Sequence, residues 1–392
     1  ARSSGIGSLV DAKGTEIGTT GIGSIGANAN SGGWVKLADN ILHTTGSDAH
    51  GLQSTGTGSK ITGENLTVTT ANLNSDGAQA MASAQVLLTN GEISTTGNTS
   101  YGVRSDGAGS LVDANGTKIE TTGTGSIGAN ANTGGEVKLT GNVVNTTGSD
   151  AHGLQSAGVG SKITGENLTI TTTNINSDGA QALTGSHISL ENISVTTGGD
   201  NSHGLNSNGS GSLIVANSAT LETSGVGANG ANVVAGGQVT LTDSTVTTNG
   251  NTARGLSGSN ANSVIIGSGL TISTSGEFAE GAFAESGAEL ILSNGGITTS
   301  GDNSHGVNSK DTGSTIDIDG IEIKTSGSGA SGVAANTGGQ VTLADSVVNT
   351  TGFDAHGLQS TDAGSLISGT DLTITTTGAA SDGVKTIDGK VE

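Results

Sequence analysis

One glycine, always followed by an apolar residue, returns at strictly alternating intervals of 25 and 26 residues along the chain. We call these fifteen residues the marker glycines. They are Gly26, Gly51, Gly77, Gly102, Gly128, Gly153, Gly179, Gly204, Gly230, Gly255, Gly281, Gly306, Gly332, Gly357 and Gly383. A fixed period of about 20 to 50 residues is the signature of repeat architectures, in which each unit buries its apolar face only against its neighbours. The period therefore constrains the fold more than any local motif does.

Three columns of residues keep a constant distance from the marker glycines. Nine residues before the marker there is always Val, Ile or Leu, seven before it always Thr, and one after it always Ala, Leu or Val. Positions two apart share one face of a strand, so the first two columns face the same side. A fourth apolar column lies later in each unit and comprises Val35, Ile61, Val86, Val112, Val137, Ile163, Ile188, Ile214, Val239, Ile265, Leu290, Ile316, Val341 and Ile367.

Each unit reads as three short strands separated by turns rich in Gly, Ser, Asn and Asp, with no helical periodicity. Three such strands cannot bury a face alone, but stacked in parallel they share one continuous core. The pattern predicts an all-β fold, a single-stranded right-handed parallel β-helix of about 15 coils of 25–26 residues. We expect residues 1–392 to form one continuous β-helix. The chain starts inside the repeat without Met, which indicates a fragment of a longer protein.

Composition agrees with a thin aliphatic core. The chain contains 70 Gly, no Pro, no Cys and five aromatic residues, whereas a thick globular core uses aromatic rings as filling. No apolar run approaches the roughly 20 residues of a membrane helix. The net charge of −21 argues against nucleic acid as a partner.

Small and large residues alternate in two inward columns, in opposite order. The column after the marker reads Ala27, Leu52, Ala78, Val103, Ala129, Leu154, and the column two residues after the fourth reads Leu37, Gly63, Leu88, Ala114, Leu139, Gly165. Close packing leaves room for one bulky group across the section. We therefore expect Leu154→Ala to open a cavity costing roughly 2–5 kcal/mol, and Gly165→Leu to recover part of it.

Histidines recur just before alternate marker glycines. They are His50, His152, His203, His305 and His356, with Tyr101 and Arg254 completing the series. One coil further the same position carries an acidic residue in four of the seven cases, which predicts stacked opposite charges or hydrogen-bonded pairs. The predicted pairs are His50–Asp76, His152–Asp178, Arg254–Glu280 and His356–Asp382. Such pairs stabilise a sheet by roughly 0.2–1 kcal/mol each, and histidines two coils apart are too distant to share a metal.

The threonine column suggests either an ice-binding face or a stacked hydroxyl ladder. By strand parity these threonines face the core. Their outward neighbours, eight residues before each marker glycine, are irregular: Gly18, His43, Thr69, Ser94, Glu120 and Asn145. Flat ice-matching surfaces need repeated outward residues, so the pattern favours a hydroxyl ladder.

A column of amides lies two residues after the marker and is predicted to point outward. Its members are Asn28, Gln53, Gln79, Asn130, Gln155, Gln181, Asn206 and Asn232, with Arg104 between the third and fourth. Amide ladders stabilise stacked β structure by hydrogen bonding along the stack. An exposed row of amides can also pair with a second row on another molecule, so these eight residues are our candidates for self-association.

The repeats resemble a known family. The segments "TTGSDAHGLQS" (44–54), "TTGGDNSHGLNSNGSGSLI" (196–214) and "GANANTGGEVKLTGNVVNTTG" (128–148) are similar to repeats in passenger domains of Gram-negative autotransporters, especially the AIDA-type self-associating adhesins. The resemblance implies a right-handed β-helix that a C-terminal outer-membrane β-barrel, absent from this sequence, exports to the bacterial cell surface. It also implies a role in aggregation, biofilm growth or host adhesion.

Two function classes follow. In the first, the chain is an adhesin that associates with another copy of itself through side-by-side polar contacts; in the second, it binds host surface or matrix proteins, or is a stalk presenting a region outside this fragment. Like-charged chains repel, so self-association should strengthen with salt or at mildly acidic pH.

We expect no enzymatic activity, no cofactor and no metal. The segment "GIGSIG" (21–26) matches a dinucleotide-binding motif, but such a site needs a following helix, and here the segment is a repeat turn. No coil carries a long insertion that could wall a substrate off from water.

Overall fold

The computed structural model describes residues 1–392 and consists of strands and turns, without any helix. The strands are parallel and wind as a right-handed β-solenoid of about 15 turns, which confirms the predicted fold class. The chain divides into two compact units, Ala1–Ser194 and Val195–Glu392. That residues 1–392 form one continuous domain stays a prediction. No helix long and apolar enough to cross a membrane is present.

Each turn of the first unit contributes a first, a second and a third strand. The first strands are Arg2–Ser4, Ala27–Asn30, Leu52–Thr55, Ala78–Met81, Val103–Asp106, Ala129–Asn132, Leu154–Ala157 and Ala180–Leu183. The second are Leu9–Lys13, Trp34–Ala38, Leu111–Asn115, Glu136–Thr140, Lys162–Glu166 and His187–Glu191. The third are Glu16–Thr19, Ile41–Thr44, Lys118–Thr121, Val143–Thr146 and Thr169–Thr172, and second and third merge in Lys60–Thr70 and Gln85–Thr95.

The second unit repeats this arrangement. Its first strands are Leu205–Asn208, Ala231–Val234, Leu256–Ser259, Ala282–Glu285, Val307–Lys310, Val333–Asn336, Leu358–Thr361 and Val384–Ile387. Its second strands are Leu213–Asn217, Gln238–Thr242, Gln340–Ala344, Leu366–Thr370 and Lys390–Val391. Its third strands are Thr220–Thr223, Thr245–Thr248, Val347–Thr350 and Thr373–Thr376, with merged strands Val264–Thr274, Glu289–Thr299 and Thr315–Thr325. The strand Ser194–Thr197 begins at the last residue of the first unit.

Each strand pairs with the equivalent strand one turn later, so the columns read from the sequence become stacks. In the first unit Val35 lies opposite Ile61, and Ile61 lies opposite Val86. In the second unit Val239 stands between Ile214 and Ile265 in the same way. All fourteen members of this fourth column are buried, as predicted. Burial of such aliphatic stacks supplies the main favourable free energy of folding.

The marker glycines are required for space rather than for an unusual backbone angle. A methyl group added at Gly128 would lie 2.3 Å from Val144 Cγ1 and 2.6 Å from the carbonyl oxygen of Gly153, the next marker. Gly153 and Gly51 have equivalent neighbours at equivalent distances. A side chain here would therefore collide with both the core and the main chain of the next turn.

The threonine column is buried as predicted, but the predicted hydroxyl ladder is wrong. Most of these hydroxyls donate within their own turn to the carbonyl oxygen five residues later: Thr146 Oγ1 to Ala151 at 2.8 Å, and Thr248 Oγ1 to Ala253 at 2.7 Å. The hydroxyls of Thr19 and Thr325 have no partner. The physical reason is that the carbonyl at this corner is buried and needs a donor. The threonine thus closes the turn between the third strand and the next first strand.

The turn between second and third strands holds one left-handed residue per coil. The column is almost entirely Asn, Asp and Gly, residue types that adopt positive φ with little strain. In the first unit it comprises Gly14, Asp39, Asn65, Asn90, Gly116, Gly141, Asn167 and Asn192, with φ between 51° and 64°. These residues set the coil corner between the second and third strands.

The packing partner expected for Gly165 is wrong. A methyl group at Gly165 would lie 2.5 Å from Leu168 Cδ1 and 2.9 Å from Leu190 Cδ2. Gly63 and Gly267 have the same environment, formed by the leucine three residues later and a leucine of the next turn. The space left by these glycines is therefore already filled, and a leucine at position 165 cannot compensate for the loss of Leu154.

Candidate interaction surface

The eight predicted contact residues form a hydrogen-bonded ladder on what we call the first-strand face, the outward side of the first strands. In the first unit Asn28 Nδ2 donates to Gln53 Oε1 at 3.1 Å, and Gln53 Nε2 donates to Gln79 Oε1 at 3.0 Å. After Arg104 the ladder resumes from Asn130 through Gln155 to Gln181, at 3.1 and 2.7 Å. In the second unit Asn232 Nδ2 donates to Asn206 Oδ1 at 3.2 Å. The amide-ladder interpretation is confirmed.

The hydrogen bonds of this ladder occupy many of the amide donors and acceptors that an external partner would need. Asn28, Gln79 and Asn130 are buried, and the other five amides are half-buried. Each internal hydrogen bond contributes roughly 0.5–1.5 kcal/mol to the fold, and breaking it for an external partner forfeits that amount. Self-association through these eight residues stays a prediction.

The histidine column also stabilises the main chain. His50 Nδ1 accepts a hydrogen bond from the backbone N–H of Asp76 at 3.1 Å, and His152 Nδ1 accepts from Asp178 at 3.0 Å. Since Nδ1 is an acceptor, the proton of each neutral ring lies on Nε2. The carboxylates lie 3.7 and 3.6 Å from Nδ1, so the predicted neighbours are correct but the hydrogen-bonded group is the backbone.

The other predicted pairs differ in detail. Arg254 Nε and Glu280 Oε2 form an ion pair at 2.8 Å, as predicted. His356 Nδ1 accepts from the backbone N–H of Asp382 at 3.0 Å, with the carboxylate 3.5 Å away. No group of three or more histidine or acidic side chains is placed to hold a metal ion. The arrangement is that of a polar spine satisfying backbone donors.

We expect the free energy of unfolding to decrease as pH falls below about 6.5, the pKa of an unfolded histidine. Burial lowers the pKa of His50, His152, His305 and His356. The folded chain therefore binds fewer protons than the unfolded chain in this range, so stability is complete above about pH 6.5 and is lost below it. Urea unfolding followed by circular dichroism at about pH 5 and about pH 7.5 measures the difference.

Asp76 opposes this trend, because burial raises the pKa of its carboxyl to about 7. Its contribution is complete below the unfolded value of about 3.9 and decreases as pH rises towards about 7. Four histidines outweigh one aspartate, so the net slope should remain positive. His305→Gln should flatten the slope. A flat profile for the unsubstituted chain would contradict the expectation.

A second polar column, missed in the sequence analysis, is more exposed. It lies directly after the buried threonine of each turn, and we call it the hydroxyl row. In the first unit it comprises Thr20, Thr45, Thr96, Thr122, Thr147 and Thr173, and in the second Ser224, Asn249, Ser275, Ser300, Ser326, Thr351 and Thr377; all are exposed. Only Ala71 and Gly198 interrupt it. The repeated dipeptides Thr-Thr and Thr-Ser are the signal that marks this column in the sequence.

No protein-family model and no curated protein matches the chain. Among solved structures it is similar to Vag8 in the cryo-EM structure of the Vag8–C1 inhibitor complex, with a TM-score of 0.62 and 17% identity, covering 100% of this chain and 98% of that one. Vag8 is an autotransporter passenger domain. A second similar structure is the A-module of the mannuronan C-5 epimerase AlgE4 of Azotobacter vinelandii, with a TM-score of 0.39, 13% identity, and coverage of 92% and 88%.

At 17% identity the likeness to Vag8 concerns the fold alone. An autotransporter passenger domain is thus a structural neighbour of this chain. Functional residues are not transferred by fold similarity, so function must be argued from the surface of this chain. The hydroxyl row and the first-strand face are its two repeated polar surfaces.

Proposed function

We propose that this chain is the β-helical region of an autotransporter passenger of the AIDA-type group, a bacterial surface adhesin that self-associates through side-by-side polar contacts between cells. The observation that carries the proposal is the hydroxyl row, an exposed column of Thr, Ser and Asn repeated turn after turn in each unit. Hydroxyl and amide groups can donate and accept, so two such rows can pair in either direction. Many weak contacts along one surface sum to useful avidity.

Charge acts against such pairing, and this sets its salt dependence. The chain carries a net charge of −21, and the hydroxyl row itself contains no acidic residue. Neutral rows let two copies approach, while the remaining carboxylates repel over about 10 Å at 0.1 M salt. Association should therefore strengthen as salt increases.

We expect the triple variant Thr96→Glu/Thr122→Glu/Thr147→Glu to weaken self-association at least tenfold, because it places three like charges in the contact surface. Analytical ultracentrifugation over a range of protein concentrations, at about 20 and about 300 mM NaCl, measures the association constant. The matched control Thr89→Glu/Thr140→Glu/Thr164→Glu adds the same charge on second strands. Monomers throughout, or equal weakening by both variants, would contradict the proposal.

A second candidate function is binding of a host protein. Vag8, which shares the fold, is seen in complex with C1 inhibitor, and protein binding by this chain would use the exposed hydroxyl row. In the ultracentrifugation experiment, this alternative predicts that the unsubstituted chain and the variant with three substitutions in the hydroxyl row are both monomers. In either case we propose a protein of the cell surface or secreted medium, without enzymatic activity.

A further inference from the structure

The amide ladder is interrupted at one place, and there the first-strand face forms a shallow cleft. The ladder ends at Gln79 and is replaced at the next turn by Arg104. The cleft is lined by Asp48, His50, Asn74, Asp76, Gln79, Thr99, Tyr101 and Arg104. Tyr101 is the only tyrosine of the chain, and the Arg104 guanidinium lies 5.2 Å from its ring centre.

Two polar atoms of this cleft lack a hydrogen-bond partner. Asp76 Oδ1 accepts from the backbone N–H of Tyr101 at 2.9 Å, but the buried Oδ2 of the same carboxyl has no partner, and neither has Arg104 Nε. The side chain of Asp76 is only 2% exposed. A buried polar atom without a partner loses roughly 1–3 kcal/mol, so a ligand or water that supplies the missing bonds is favoured.

The equivalent position 102 residues later shows what is missing. There Gln181 Nε2 donates to Asp178 Oδ2 at 3.0 Å, so that the carboxyl is satisfied within the chain. At the cleft, Tyr101 and Arg104 occupy the next turn. The carboxyl group of Asp178 is therefore hydrogen-bonded within the chain, whereas at the cleft Asp76 Oδ2 lacks a donor and Arg104 Nε lacks an acceptor.

The open groups define the ligand. It must donate to Asp76 Oδ2 and offer an acceptor to Arg104 Nε, which neighbouring hydroxyl groups on one ring do together. The Tyr101 ring offers an apolar surface beside these polar groups. Asp48 and Asp106 carry charge, and Arg104 is paired with Asp106 at 2.7 Å, so an anionic ligand is disfavoured. The His50 and Arg104 side chains are 16% and 26% exposed, and a ligand can reach the buried atoms only if these side chains rotate.

We propose that this cleft binds a neutral saccharide unit through Asp76, Tyr101 and Arg104. The site is independent of the hydroxyl row, which directly follows the third strands. Surface clefts of this kind bind single sugars weakly, with dissociation constants on the order of 1 mM.

The test uses NMR of the full chain with ¹³C-labelled tyrosine and tryptophan, so that Tyr101 reports on the cleft and Trp34 serves as an internal control. The probes are the methyl glycosides of glucose, galactose, mannose and N-acetylglucosamine, each titrated separately. We expect a saturable shift of Tyr101, with Trp34 unchanged, for at least one glycoside. Methyl glucuronide should shift Tyr101 at least tenfold less readily.

Arg104→Met should weaken binding at least tenfold, while Gln155→Met, in the same column within the closed ladder, should leave it unchanged. If Arg104→Met does not fold, Tyr101→His, the residue at positions 50 and 152, is used with saturation-transfer detection instead. The proposal is overturned if no glycoside shifts Tyr101, if glucuronide binds equally well, if Arg104→Met binds normally, or if only a cationic probe such as N-acetyl-lysine amide binds.

Discussion

Gly128→Ala is expected to reduce the free energy of unfolding by about 3 kcal/mol or more, at the upper end of overpacking substitutions. The added methyl would lie 2.3 Å from Val144 Cγ1 and 2.6 Å from the carbonyl oxygen of Gly153. One of these contacts is with main chain, which cannot rotate away as a side chain can. The turns must therefore separate locally, and the inter-turn hydrogen bonds lengthen with them. Urea unfolding followed by circular dichroism measures the loss.

The chain supplies a matched control in the same column. Gly383 is the last marker glycine of this chain, and a methyl group there has nothing within 4 Å. Gly383→Ala should therefore change stability by less than about 0.5 kcal/mol. Equal losses for Gly128→Ala and Gly383→Ala would mean that the column needs glycine for its backbone angle, contrary to the packing argument.

The sequence predicts the strands, their register and the inward columns because the inward columns are repeated fourteen or fifteen times. Ile61 and Val86, for example, are related by the period alone and do lie opposite each other. The period carries this information because parallel in-register stacking makes sequence spacing equal to spatial neighbourhood.

Hydrogen-bond partners are a different matter, since parity places a side chain on a face but not against a particular atom. The buried position of Thr146 was predictable, whereas its bond to the Ala151 carbonyl depends on the path of the corner. In the same way, the approach of His50 to Asp76 was predictable, and the choice of the backbone N–H over the carboxylate was not. The columns in the sequence therefore predict which side chains are buried and which lie close together, but not which atoms form hydrogen bonds.

The candidate surfaces show the same division. The amide column was located correctly, yet only the geometry shows that Gln53 and Gln155 are engaged along the ladder. Strand parity also predicts that the hydroxyl row faces outward, but its members vary among Thr, Ser and Asn and so form no constant column in the sequence. The cleft at Tyr101 could not be predicted, since it arises from two missing bonds where the repeat changes.

A double-mutant cycle is expected to show that Gly165 is coupled to Leu168 and independent of Leu154. Gly165→Ala alone should reduce the free energy of unfolding by about 1–3 kcal/mol, because its methyl would lie 2.5 Å from Leu168 Cδ1. Leu168→Ala and Leu154→Ala should each cost about 2–5 kcal/mol through the cavities they leave. The residues concerned are all buried in the core of the first unit: Leu154, Gly165, Leu168 and Leu190.

In Gly165→Ala/Leu168→Ala the new methyl enters the space that the leucine vacates, so the double variant should be more stable than the sum of the single losses by about 0.5–3 kcal/mol. In Gly165→Ala/Leu154→Ala the collision with Leu168 remains, and the losses should add within about 0.5 kcal/mol. The measurement is urea unfolding of the single and double variants under one set of conditions. Coupling to Leu154 instead would mean that large and small side chains compensate each other across the coil. Coupling to Leu168 means that they compensate within one strand-turn-strand corner, where the leucine three residues after the glycine fills the space that the glycine leaves.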